Sequence, residues 1–336
     1  MSKQSVVCGQ RDTRVDSIKF FLILFVILGH LLEVGWDNVV NEKLYSFIYS
    51  FHMPAFIILS GYFFKKTEKK RFWRGILNLV VTYGIFQVLY FGNPMVYRLW
   101  GGNSLTISGL YGNVTSFYKP AAVLWYVVSL ISWRIVSQYI PQGWLDDMRK
   151  MLVAAVVMGI LAAFVPLGRE LSFQRTFAFY PYFLLGYYMR TKGWWEKLQE
   201  TPIWLSCVVV LLYVGIIIVG PYIPKSMLVQ FYSYQENHLI PLLRVVSYLW
   251  MLPLTLAILR LLPDVGFCAS EGKNTMFYYI FHVYFVYIEQ RLVVDCGFPI
   301  TIPYILLYWI VSVVALYLLS KVRLFDYLLN PIRTHK

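Results

Sequence analysis

Asp16-Ser17-Ile18-Lys19-Phe20-Phe21-Leu22-Ile23-Leu24-Phe25-Val26-Ile27-Leu28-Gly29-His30 is an apolar run with ionisable side chains near both ends. It is long enough to cross a membrane as a helix. Charged or titratable residues inside such a helix are costly, so each is a functional candidate by default. On a continuous α-helix, Lys19 and His30 share a face to within about 20° and stand roughly 16 Å apart along the axis. That spacing puts a cation at the membrane entrance and an imidazole deep in the span. It suits an anionic ligand whose reactive end meets a base.

The rest of the chain is of the same kind. Of its 336 residues, 59% are hydrophobic and 14% charged, with a mean hydropathy of +0.59. Soluble domains carry roughly 25% charged residues, so the composition excludes one. The polar interruptions at 141–150 and 191–202 are too short to be a soluble domain. The net charge of +13 belongs to the loops and does not call for nucleic acid as a partner. Cys8, Cys207, Cys268 and Cys296 lie far apart without metal-type spacing and read as small hydrophobes. No metal is expected. The first apolar run follows a polar stretch and leads into Glu33, Trp36 and Asp37, so it reads as a retained helix and not a cleaved signal peptide.

The pattern predicts an all-α, polytopic integral membrane protein of about ten transmembrane helices. Their expected limits are 17–36, 44–64, 75–92, 122–140, 151–166, 176–190, 203–223, 240–262, 275–294 and 300–320. With both termini cytoplasmic, most of the 30 basic residues fall inside, among them Lys65, Lys66, Lys69, Lys70, Arg71 and Arg74. The whole chain, 1–336, is then a single membrane domain with a short cytoplasmic segment at 1–16 and a tail at 321–336. The longest connection, 93–121, is extracytoplasmic in this topology and long enough to cover a site between helices.

Further candidates follow from the same cost argument. His52 opens Phe51-His52-Met53-Pro54, just before an expected proline break, and leads to Ser60-Gly61-Tyr62. His52 alone reads as a hydrogen-bonded histidine in a kinked helix; beside His30 on the preceding helix it gains a functional reading. Arg71 and Arg74, one turn apart, suit a topology anchor against anionic lipid and equally the phosphates of a nucleotide-like cofactor. Leu124-Trp125-Tyr126 starts the fourth span. Arg175-Thr176-Phe177 stands at the outer entrance of the sixth, against the charge bias. His282 lies within the ninth, after Asn274-Thr275. For His282 a structural role weighs slightly more than a catalytic one.

Taken in order, these pieces resemble the membrane-bound acyltransferase 3 family. They comprise Arg14-Val15-Asp16-Ser17-Ile18-Lys19 with His30, Phe51-His52-Met53-Pro54, Ser60-Gly61-Tyr62, Leu124-Trp125-Tyr126 and Arg175-Thr176-Phe177. Pro181, Phe183 and Gly186, then Asn274-Thr275 with His282, complete the set. In particular the sequence is similar to the sugar O-acetylase branch, related to fucose 4-O-acetylase and the intercellular-adhesin acyltransferases. Much of the family has Arg where this chain has Lys19, which keeps the charge but loses the bidentate fork.

The resemblance implies O-acyl transfer, usually acetyl from acetyl-CoA, to a hydroxyl of a cell-surface polysaccharide or lipid-linked sugar. It also implies residence in the bacterial inner membrane. The expected partners are acyl-CoA, the glycan acceptor and the lipid bilayer. Some relatives carry an extracytoplasmic esterase-like domain; here the membrane domain is expected to complete transfer itself. A neutral imidazole can take a proton from an attacking hydroxyl, so His30 is the expected base, with Asp16 holding Lys19. Lys19, Arg71 and Arg74 are expected near the CoA phosphates. His52, Ser60, Trp125, Arg175 and His282 are expected to contact substrate. An acetyl-histidine intermediate on His30 is an alternative route. A transporter or flippase, or a polymerase of a lipid-linked glycan, is the rival class, distinguished by needing no acyl-CoA.

Overall fold

The computed structural model describes residues 13–35, 38–100 and 118–332, with 91–100 described by backbone alone. Eleven longer helices carry the architecture among the described residues. They are α1 (Thr13–Val34), α2 (Val39–Tyr49), α3 (His52–Phe63), α4 (Lys69–Trp100), α5 (Trp125–Tyr139) and α6 (Met148–Ala162), then α7 (Phe173–Thr191), α8 (Ile203–Val219), α9 (Ile240–Leu261), α10 (Thr275–Cys296) and α11 (Ile302–Leu319). Every apolar run read from the sequence falls on one of these helices, the second on a pair. Among the described residues, five stretches are long and apolar enough to cross a membrane: Thr13–Val34, Val39–Phe63, Lys69–Tyr90, Ile240–Leu261 and Ile302–Leu319. A sixth arises if the pair Trp194–Glu200 and Ile203–Val219, bent by 86°, is one span. All secondary structure among the described residues is helical, with several helices apolar enough for a membrane protein. The shorter helices, such as α6 with 15 residues, reach only about 22 Å.

Two expectations shift. The break in the second run falls at Ser50–Phe51 and not at Pro54, so His52 begins α3. Pro54 then sits in the first turn, where its missing N–H costs no helical bond. The connection expected at 93–121 is helical up to Trp100; residues 101–117 lie outside the described set. Pro181 does interrupt the bonding of α7. The carbonyls on either side of the one it frees, at Phe177, accept from side chains: Trp133 Nε1 donates to Thr176 O at 2.7 Å and Tyr248 Oη to Ala178 O at 2.9 Å.

α1 is the centre of the bundle, touching α2, α3, α10, α11 and the short helix Gly266–Glu271. Its Ser17 hydroxyl donates to Pro263 O at 2.8 Å and accepts from the Val265 amide at 3.0 Å. The tightest pair is α3 with α7. A Cβ added to Gly61 would overlap the Phe183 carbonyl, and one added to Gly186 would overlap the Ile58 carbonyl. Ser60-Gly61-Tyr62 and Pro181-x-Phe183-x-x-Gly186 are thus two halves of one backbone contact, the close approach that small residues permit in membranes.

Hydrogen bonds sort the connections into two sets. At one end Lys66 Nζ reaches Ile140 O and Gln138 pairs with the Thr67 backbone. There too Arg260 Nε meets Thr201 O, and Lys321 Nζ meets Glu271 at 2.6 Å. At the other end Lys119 pairs with Glu170, Lys225 with Glu33, and the Tyr234 amide with Ala163 O.

Candidate active site

A cavity of about 260 Å³ lies toward the second of these ends, where α1, α2, α3, α5, α7 and α10 converge. His30, His52, Trp125, Arg175 and His282 all line it. The broken second run explains part of this. α2 carries Tyr45 and Tyr49 to the cavity, and the break lets α3 start there with His52. The Tyr49 ring lies between two histidines, with centroids 5.9 Å from His30 and 4.5 Å from His52. The His30 and His282 rings stand 5.2 Å apart.

Hydrogen bonding fixes how these rings present themselves. His52 Nδ1 is 2.8 Å from Ile48 O and His282 Nδ1 is 3.1 Å from Tyr278 O. A carbonyl only accepts, so both rings carry their proton on Nδ1 and turn a bare Nε2 away from their helices. His282 Nε2 is buried without a hydrogen-bond partner among the described residues. His30 differs. Its Nδ1 stands 3.2 Å from Tyr49 Oη and 3.5 Å from Glu33 Oε2, and the Tyr49 hydroxyl donates to the same carboxylate oxygen at 3.5 Å. A carboxylate on Nδ1 favours the proton there and leaves Nε2 as the basic nitrogen. Glu33 is itself held by Lys225 Nζ at 2.5 Å, reaching in from the connection before α9.

Arg175, in the first turn of α7, is pinned by its Nε to Val229 O at 2.8 Å. Its guanidinium lies 4.4 Å from the centre of the Trp125 ring and 4.9 Å from that of Phe231.

A second cavity, about 170 Å³, adjoins the first. Met53 and Tyr279 line both. It holds Lys19, Ser60, Tyr126 and Arg134. Lys19 Nζ bonds Asp16 at 2.6 Å and lies 5.2 Å from the centre of the Phe63 ring. Ser60 Oγ is 2.5 Å from Tyr126 Oη and donates to Phe56 O at 2.9 Å. Because α1 is unbroken, Lys19 and His30 face successive cavities along one helix face.

Of the ten residues singled out from sequence, Arg71 and Arg74 alone line neither cavity and are not their neighbours. Both are exposed on the first turns of α4. Asp16 is buried beneath Lys19. Sequence reasoning missed Glu33, Arg134 and Arg169. Glu33 stands one turn beyond His30, a spacing that does not by itself single it out; Arg134 and Arg169 had no local signal. No group of three or more His, Cys, Asp or Glu side chains that could hold a metal occurs among the described residues.

Residues 12–321 match the family model described as an acyltransferase domain. The chain belongs to the acyltransferase 3 family. Two curated relatives share short stretches with it. Nodulation protein NolL of Sinorhizobium fredii (strain NBRC 101917 / NGR234) is 40% identical over 62 residues, 17% of each chain. Nodulation protein NolL of Mesorhizobium japonicum (strain LMG 29417 / CECT 9101 / MAFF 303099) is 41% identical over 58 residues, 16% of each. The matched stretch therefore spans about a sixth of those relatives' length. No solved structure matches the chain significantly.

Proposed function

We propose that this acyltransferase moves an acetyl group from acetyl-CoA to a hydroxyl of a cell-surface polysaccharide or its lipid-linked precursor. Its place would be the bacterial inner membrane, as a single domain with about ten spans. The observation that carries the reading is His30 Nδ1 held by Glu33 and Tyr49 in a cavity that adjoins the one containing Lys19.

In this reading the pantetheine arm reaches past Lys19 and Arg134, whose positive charges suit the donor's phosphates, toward the wall shared by Met53 and Tyr279. The acceptor occupies the His30 cavity. His30 Nε2 takes the proton of the sugar hydroxyl as its oxygen bonds to the thioester carbonyl carbon. Arg175 faces the oxyanion that develops there. The carbon–sulfur bond then breaks, and the imidazolium returns its proton to the departing thiolate. Glu33 keeps the imidazole in the productive tautomer throughout. Asp16 acts by orienting Lys19. His52, His282, Ser60 and Trp125 shape the two cavities around the reacting atoms. The exposed Arg71 and Arg74 suit a long-range attraction for CoA or for anionic lipid.

The test uses purified protein in detergent and acetyl-CoA labelled on its acetyl group, followed by thioester loss and label transfer to a panel of glycans. Wild type should transfer label. His30→Ala should lose about a hundredfold or more in rate, the size expected for a general base, while acetyl-CoA still raises the melting temperature. Full transfer by His30→Ala would remove His30 from the chemistry, and no binding or consumption of acetyl-CoA by either protein would remove the donor.

A further inference from the structure

The mouth of the His30 cavity carries two guanidinium groups on one aromatic ring. Arg169 Cζ lies 4.2 Å from the centre of the Phe231 ring and Arg175 Cζ lies 4.9 Å from it. Both arginines line the cavity. Arg169 is exposed, Arg175 is half-buried, and Phe231 is buried beneath them. Neither arginine takes part in an ion pair among the described residues, although carboxylates stand close by. Those carboxylates are engaged elsewhere: Glu33 with Lys225 at 2.5 Å, Glu170 with Lys119 at 3.1 Å, and Glu236 with the Ser233 amide at 2.7 Å.

Two like charges gathered on one ring repel each other, and cation–π contacts recover only part of that cost. A bound oxyanion relieves the repulsion, and a guanidinium is the side chain whose fork best matches a carboxylate or phosphate. With Arg175 facing the oxyanion of the transfer step, a neutral sugar would leave the second cation, Arg169, without a ligand. The Nε bond of Arg175 to Val229 O also fixes its plane, so the remaining N–H groups are set before a ligand arrives.

We propose that the acceptor is anionic, and that Arg169 and Arg175 together grip an oxyanion next to the acetylated sugar. The inference rests on the reading of this cavity as the acceptor site. The oxyanion has two chemical sources, the carboxylate of an acidic sugar or the diphosphate of a lipid-linked one.

Thermal unfolding of the full chain in detergent separates the alternatives, with methyl glucuronide, methyl glucoside and farnesyl diphosphate as probes. One anionic probe should raise the melting temperature while the glucoside at equal concentration does not. Stabilisation by glucuronide identifies a sugar carboxylate, and stabilisation by the diphosphate alone identifies the lipid carrier. Arg169→Gln should raise the apparent Kd for that probe about tenfold, the loss expected from one charge-assisted hydrogen bond. Arg175→Lys, which keeps the charge and loses the fork, should weaken it too and guards against a variant that does not fold. Equal stabilisation by the glucoside, no stabilisation by either anion, or an anionic effect that survives in both variants would overturn the proposal. Acetyl-CoA run in parallel keeps the two readings apart. Its failure to stabilise, with the anionic effect intact and sensitive to Arg169, would defeat the donor assignment and leave the anion site standing.

Discussion

At the residue scale, the informative fact is which neighbours each costly side chain has. His30 was legible because an imidazole in an apolar run has to be accounted for. His52 and His282 follow the same logic, and the structure gives each an i−4 carbonyl for Nδ1 and a place in the cavity wall. In the sequence Glu33 serves only to argue against a cleaved signal peptide after the first apolar run. What marks it is tertiary: Lys225, far along the chain, closes on it from the connection before α9. Glu33 is argued to act through His30, so its substitution should lower kcat and spare the donor's KM. Glu33→Gln keeps the shape and an acceptor oxygen but removes the charge that stabilises an imidazolium. We expect kcat to fall roughly ten- to a hundredfold, as for a group that orients a base, with KM for acetyl-CoA unchanged. Glu33→Asp should recover part of the rate. A rise in KM with kcat preserved would make Glu33 a structural partner of Lys225 and nothing more.

At the scale of the helices, hydrophobic runs gave position reliably and breaks poorly. All ten runs lie on helices, because a backbone in lipid satisfies its hydrogen bonds within the segment. The break in the second run was expected at Pro54, just after His52, yet proline is harmless in a first turn, and the chain turns at Ser50–Phe51 instead. In the sequence Gly61 and Gly186 stand in two separate motifs, with nothing to mark them as each other's partners. That pairing has a measurable consequence. Gly61→Ala inserts a methyl group against the Phe183 carbonyl, so α3 and α7 have to separate. Overpacking of this kind costs about 1–3 kcal/mol, and the melting temperature in detergent should drop accordingly. Activity should fall further, since α3 carries His52 and α7 carries Arg175. Gly84→Ala in α4 is the internal comparison. Nothing stands within 4 Å of a Cβ there, and replacing a mid-helix glycine stabilises by up to roughly 1 kcal/mol. If Gly61→Ala proved as neutral as Gly84→Ala, the two helices would not be in backbone contact.

At the scale of the whole molecule, the two cavities define a direction. Lys19 and Arg134 belong to the cavity toward the connection that joins Lys66 to Ile140, and His30 belongs to the one toward Lys119, Glu170 and Lys225. Charge patterning predicts the first of these ends to be cytoplasmic, because Lys65, Lys66, Lys69, Lys70, Arg71 and Arg74 gather there. Acyl-CoA is made and kept in the cytoplasm, so the donor side of the reading depends on that orientation. It can be tested without any activity. In a chain whose native cysteines are replaced by serine, a single cysteine at Thr67 should resist a membrane-impermeant maleimide in intact cells and react after permeabilisation. One at Gly168, beside Arg169 at the other cavity, should react in intact cells. The reverse pattern would turn Lys19 and Arg134 outward and remove CoA phosphates as their ligand, leaving His30 in its network but fed from the opposite face. Reaction at both positions in intact cells would mean that the two cavities share one side of the membrane, and that transfer does not run along α1.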